Sequence, residues 1–112
     1  MEFLHNPRCR KSREALELLK DRGIEVEITE YLTNPLSKEQ LEDIIDKLGI
    51  SAYELIRKGE AAFKENYKAL DPEKVDWIEA MLTYPKLIER PVFIVGSKAV
   101  IGRPPEKVLE LI

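Results

Sequence analysis

Between Ser12 and Thr29 the hydrophobic repeat of the chain changes period, and that one switch restricts the possible folds more than any other feature. Ser12, Ala15, Leu16 and Leu19 recur at i, i+3, i+4 and i+7, the spacing of a single helix face. Gly23 follows as a C′ residue that ends such a helix. Ile24, Val26 and Ile28 then alternate with Glu25, Glu27 and Thr29, which is strand period. Glu2 to His5 reads as a preceding strand. It stops at Asn6-Pro7 because the residue before a proline is driven out of the helical region. Residues 2–29 therefore read β-α-β, and such a crossover favours parallel strands.

The middle of the chain reads as helical. After the break at Thr33-Asn34-Pro35, Ser37 and Gln40 have the spacing of a capping box, and Leu41, Ile44, Ile45 and Leu48 follow at helical intervals up to Gly49. Ser51 with Glu54 suggests a second box, opening a short helix towards Arg57. Asp71 as N-cap and Pro72 at N1 predict another helix that ends before Pro85. Val75, Ile78 and Leu82 form its expected buried face, with Trp77 and Met81 nearby. The C-terminal part changes again. "PVFIV" and "KAVIG" are short apolar runs joined by Gly96-Ser97, which suits a two-residue II′ hairpin turn. Pro104-Pro105 opens a last helix carrying Val108, Leu109, Leu111 and Ile112. The order is β-α-β, a helical middle, then β-β-α.

One domain suits this length. Lys plus Arg is 18 against 21 Asp plus Glu, a formal charge of −3, which argues against general nucleic-acid binding. No apolar run reaches the ~20 residues of a membrane span, and "MEFLHNPRC" has no signal-peptide pattern. The single cysteine, Cys9, excludes an intramolecular disulfide and a multi-thiolate metal site, and it fits a reducing, cytoplasmic setting.

Within this acidic chain, "HNPRCRKSR" collects Arg8, Arg10, Lys11 and Arg13 around that one thiol. Cys9 stands at a strand-to-helix junction, where unpaired N–H groups and the helix dipole favour an anion, and the flanking cations add a favourable field. Both effects lower the pKa of the thiol and favour the reactive thiolate. Ser12, in a C-x-x-S spacing, brings its Oγ within reach of the sulfur one turn on. The same nest of N–H groups and arginines suits an oxyanion. The alternative is a small buried apolar Cys9 beside a solvated cationic helix face. His5 is open between supporting the Cys9 loop, assisting proton transfer, and being a strand-end histidine with a satisfied side chain.

The segment "HNPRCRKSREALELL" resembles the active-site segment of the ArsC family, the glutaredoxin-coupled arsenate reductases and their relatives. "EYLTNPLSKEQLEDIIDKLGIS", "LIRKGE" and "LIERPVFIVGSKAVIGRPPEKVLELI" resemble the family's middle region, its arginine element and its C-terminal signature, in the same order along almost the whole chain. The resemblance implies a thioredoxin-like α/β fold, with its β-α-β and β-β-α parts at about residues 1–32 and 86–112 and a helical insertion at about 35–85. It implies that Cys9 is the nucleophile and that Arg57, Arg90 and Arg103 bind the oxyanion. It also implies that Pro91 is the thioredoxin-fold proline, usually cis and facing the cysteine, and that His5 and Ser12 support the thiol. Arginine suits such a pocket because its planar fork binds two oxygens and stays charged. Arg10 departs from the pattern, since better-known arsenate reductases carry a small residue there. It is expected to crowd the entrance or alter glutaredoxin docking. The stretch between "EAAFKENYKAL" and "DPEKVDWIEAM" also looks shorter than in those enzymes.

What the resemblance implies for function is reduction of arsenate to arsenite, with glutathione as co-substrate, glutaredoxin as partner, and no bound metal or prosthetic group. Two alternatives stand beside it. One is a regulator resembling the Spx-type proteins, which share the fold and bind RNA polymerase. Those commonly use a C-x-x-C switch, which Ser12 removes here. The other is an ArsC-like thiol oxidoreductase with a different substrate.

Overall fold

The computed structural model describes all residues, Met1–Ile112. The chain forms two compact units, one made of Met1–Asn34 with Arg90–Ile112 and the other of Pro35–Glu89. No helix is long and apolar enough to cross a membrane.

The first unit holds a four-stranded sheet in the order β2-β1-β3-β4, built from β1 (Glu2–Leu4), β2 (Glu27–Thr29), β3 (Val92–Val95) and β4 (Lys98–Ile101). β1 and β2 pair in parallel, as a crossover through a helix requires, while β3 pairs antiparallel with both β1 and β4. That helix, α1 (Arg10–Asp21), buries Ser12, Ala15, Leu16 and Leu19, the face that the sequence spacing predicts. Ala15, Leu16 and Leu19 pack with Phe3, Phe93 and Val108 into one apolar cluster. β3 and β4 meet at Val95 and Lys98, leaving Gly96-Ser97 as a two-residue turn with φ +58° at Gly96 alone. A left-handed backbone at the first central residue only is the II′ arrangement. β2 is shorter than the alternation suggests. Ile24 and Val26 pack on the core, but Ile28 lies 44% exposed on the outermost strand, whose only partner is the three-residue β1. The last helical segment, Pro105–Leu111, is wound as a 3₁₀ helix and still buries Val108.

The second unit is helical. α2 (Lys38–Leu48) begins with the expected capping box. Ser37 Oγ accepts from the Gln40 N–H at 3.1 Å, and Gln40 Oε1 accepts from the Ser37 N–H at 2.8 Å. It ends at Gly49, whose φ of +69° suits a residue without a Cβ. Ser51 and Glu54 open only a 3₁₀ turn, Tyr53–Leu55. A short helix that the pattern does not announce, α3 (Ala61–Asn66), buries Phe63. Asp71-Pro72 also begins a 3₁₀ turn, Pro72–Lys74, rather than the expected helix. Val75 is extended, and α4 (Trp77–Thr83) starts at a second cap, where Asp76 accepts from the Glu79 N–H at 3.1 Å. The face buried by α4 is accordingly Trp77, Ala80 and Met81, not Val75, Ile78 and Leu82. Trp77 sets that register. Its ring packs 4.9 Å from Tyr53 and 5.5 Å from Tyr67, and its Nε1–H donates to the Pro72 carbonyl at 2.9 Å.

Candidate active site

The His5–Cys9 loop is closed by Asn6. The Cys9 N–H donates to the Asn6 carbonyl at 2.9 Å, and Asn6 Oδ1 accepts from the Arg8 N–H at 3.0 Å. This delivers Cys9 as the N-cap residue of α1 in an extended conformation. No Asp or Glu stands in the first turn of α1, so its N–H groups face no competing carboxylate there.

Burial alone would raise the Cys9 pKa, yet the thiol is held below its ordinary range. The N–H groups of Ser12 and Lys11, the Arg90 side chain and the Arg103 charge together outweigh desolvation. Arg103 Nη2 donates to Cys9 Sγ at 3.4 Å, and its Nε donates to the Arg90 carbonyl at 2.8 Å, so both ends of the fork are fixed. Arg90 is itself buried, at 8% exposure, and its bond to the buried Pro91 is cis.

The four flanking cations behave differently from the expectation that they charge the site. Arg8, Arg10, Lys11 and Arg13 are all exposed. Arg10 lies on the helix surface, 2.8 Å from Glu14, and Arg13 donates to the Pro7 carbonyl at 3.0 Å. Among the main influences on the sulfur, Lys11 enters through its backbone N–H and not its ammonium.

Ser12 also has a different role from the expected one. Its fully buried Oγ lies 2.6 Å from His5 Nδ1 and accepts from the Asn6 N–H at 3.1 Å. The hydroxyl therefore braces the loop, while the backbone N–H of the same residue serves the thiolate. Burial lowers the His5 pKa; Glu30 opposes this, while Lys20 and Arg13 add to it. The neutral imidazole is thereby favoured. The structure brings Cys9, Arg90, Arg103, His5, Ser12 and Pro91 together in the first unit. Arg57 belongs to the second, where its Nε lies 3.7 Å from Glu60 and 3.9 Å from Glu89. Asn6, Glu60 and Glu89 escaped the sequence reading. Only the Asn6-Pro7 pair offers a local signal, since Asn-Pro favours a turn.

The ArsC family profile matches residues 4–111. The uncharacterized protein YfgD of Escherichia coli K12 is 46% identical over 114 positions, covering all of this chain and 96% of YfgD. An arsenate reductase of Haemophilus influenzae is 43% identical over 110 positions, covering 96% of this chain and 95% of that protein. Among solved structures, the arsenate reductase from Vibrio cholerae superposes with a TM-score of 0.89 at 37% identity, covering 99% and 96% of the two chains. Fold and relatives together define a thioredoxin-like oxidoreductase. Within that class the chain belongs to the ArsC family.

Proposed function

We propose that the protein reduces arsenate to arsenite through Cys9, with glutathione and glutaredoxin as reductants in the cytoplasm. The observation that carries this reading is the convergence of Arg103, Arg90 and two helix N–H groups on one thiol whose pKa they lower. Such a site stabilises a thiolate, and its arginines suit the oxygens of a tetrahedral anion. Arg57 joins them as the third oxyanion ligand on the strength of the family motif.

In the first step the Cys9 thiolate attacks As(V), an S–As bond forms, and an arsenate oxygen leaves as hydroxide or, once protonated, water. Glutathione then attacks the Cys9 sulfur. An S–S bond forms, and the S–As bonding pair departs with arsenic, which becomes As(III) as arsenite. Glutaredoxin removes the glutathione by thiol–disulfide exchange and regenerates the thiol. An external thiol is needed because the chain has no second cysteine and Ser12 cannot form a disulfide. No metal or prosthetic group takes part in these steps.

The test is arsenite production by the purified protein with glutathione and glutaredoxin, followed by intact mass after stopped turnover. The expected species carries one glutathione, and Cys9→Ser loses both adduct and activity. Activity in Cys9→Ser, or turnover by the wild type without external thiol, overturns the mechanism. If no arsenite forms although Cys9 is acidic and glutathionylated, the thiol chemistry stands and arsenate is the wrong substrate.

A further inference from the structure

Gly23, Gly49 and Gly96 each have positive φ, and a Cβ added at any of them would meet nothing within 4 Å. Gly102 is the reverse case. Its φ lies outside the left-handed range, but a Cβ there would stand 2.8 Å from Pro91 Cγ, 3.1 Å from Val108 Cγ1 and 3.5 Å from Ala15 Cβ. The first distance is shorter than real Cβ atoms show, and the ring that it meets is fully buried. Glycine is therefore required at 102 for space.

Two of the three neighbours lie on segments that build the thiol site, and the third is in the core. Ala15 is on α1, which presents Cys9. Pro91 adjoins Arg90 and leads into β3. Val108 is on the C-terminal 3₁₀ helix. Gly102 leaves the end of β4, donates its N–H to the Pro91 carbonyl at 2.9 Å and is followed directly by Arg103. Arg103 bonds both the Arg90 carbonyl and the Cys9 sulfur from a position where the preceding residue, Gly102, lies close against the Pro91 ring. We infer that Gly102 is a positioning residue for the Cys9–Arg103 pair, its missing side chain setting the close approach that places the guanidinium on the sulfur. This deepens the reading of Cys9 as the reactive thiolate. Its test needs no arsenate, so it can fail independently of the substrate assignment.

Gly102→Ala in the full chain is expected to move the Cys9 thiol titration upward and to slow its alkylation by iodoacetamide at neutral pH roughly three- to tenfold. Val108→Ala, a core truncation that does not touch Arg103, is expected to lower stability and leave the titration where it is. In an Arg103→Ala background, Gly102→Ala should add nothing to the titration, because the two changes act through one contact. If the single variant does not fold, Gly102→Ala with Val108→Ala removes the 3.1 Å neighbour and is read in the same way. A folded Gly102→Ala variant with wild-type titration overturns the inference, as does an undiminished Gly102→Ala effect without Arg103.

Discussion

Replacing Ser12 by Ala separates two jobs that the residue performs with different atoms. The hydroxyl is fully buried and serves two buried partners, His5 Nδ1 at 2.6 Å and the Asn6 N–H at 3.1 Å. Alanine keeps the helix and removes both bonds. Each buried polar group left unsatisfied costs about 1–3 kcal/mol, so together the loss is about 2–6 kcal/mol. That is a large share of the roughly 5–15 kcal/mol that stabilises a domain of this size, and it corresponds to a fall in Tm of roughly 8–25 °C. The Ser12 N–H, which favours the Cys9 thiolate, survives the substitution. Urea unfolding should therefore show a clear loss of stability, while the thiol titration, followed by ultraviolet thiolate absorbance, stays close to wild type. The opposite pair of results, unchanged stability with a raised thiol pKa, would refute the argument and assign the hydroxyl to the sulfur.

Three further outcomes are expected. Burial holds the His5 pKa below its ordinary value, so below about pH 6.5 the unfolded chain takes up a proton that the native state refuses. The contribution of His5 to stability is thus complete above that pH and declines as the pH falls towards its folded value. The difference between wild type and His5→Gln in unfolding free energy isolates it, and a difference that grows in favour of the wild type on acidification contradicts the assignment. Arg103→Lys keeps the charge but loses the fork that spans Cys9 and the Arg90 carbonyl, so the thiol titration should rise to a position between wild type and Arg103→Ala; a lysine variant that titrates like wild type refutes the geometric part of the argument. Arg8→Gln combined with Lys11→Gln should leave that titration in place yet slow the attack of glutathione on a Cys9 mixed disulfide, on the order of tenfold at low salt. A neutral thiol should be little affected, and equal slowing of both thiols counts against a role in attracting the anionic reductant.

Legibility in the sequence followed how local each cause was. α1 was readable because its buried face, its closing glycine and the change of period all lie within one short stretch, and none depends on distant partners. The capping box of α2 and the Gly96-Ser97 turn are equally local. α4 was misplaced because two aspartates compete as its cap. Pro72 made Asp71 the stronger signal, but the seat of Trp77 among Tyr53, Phe63 and Tyr67 favours the start at Asp76. No sequence window contains that packing. α3 stayed hidden because it has six residues, one buried side chain and no side-chain cap.

The site shows the same division in electrostatic form. A sequence displays charges but not their directions. The cations nearest Cys9 in the chain are exposed, and two of them are engaged along the surface, while the guanidinium on the sulfur belongs to Arg103, ninety-four positions away. Ser12 looked like a partner of the thiol because of its spacing, yet its hydroxyl bonds to His5 and only its amide serves the sulfur. The acidity of Cys9 is therefore a property of backbone direction and of the chain path from Pro91 to Arg103, neither of which depends on net charge. That leaves the exposed cations, Arg8 and Lys11 foremost, facing whatever approaches from solution. In a chain of net charge −3, a local cationic rim at the only thiol would favour the approach of an anionic reductant such as the glutathione proposed above. The two sets of positive charge thus differ by position, with Arg90 and Arg103 acting on the sulfur from inside and the exposed set facing solvent, where the Arg8 and Lys11 double variant tests its effect on an incoming anionic thiol.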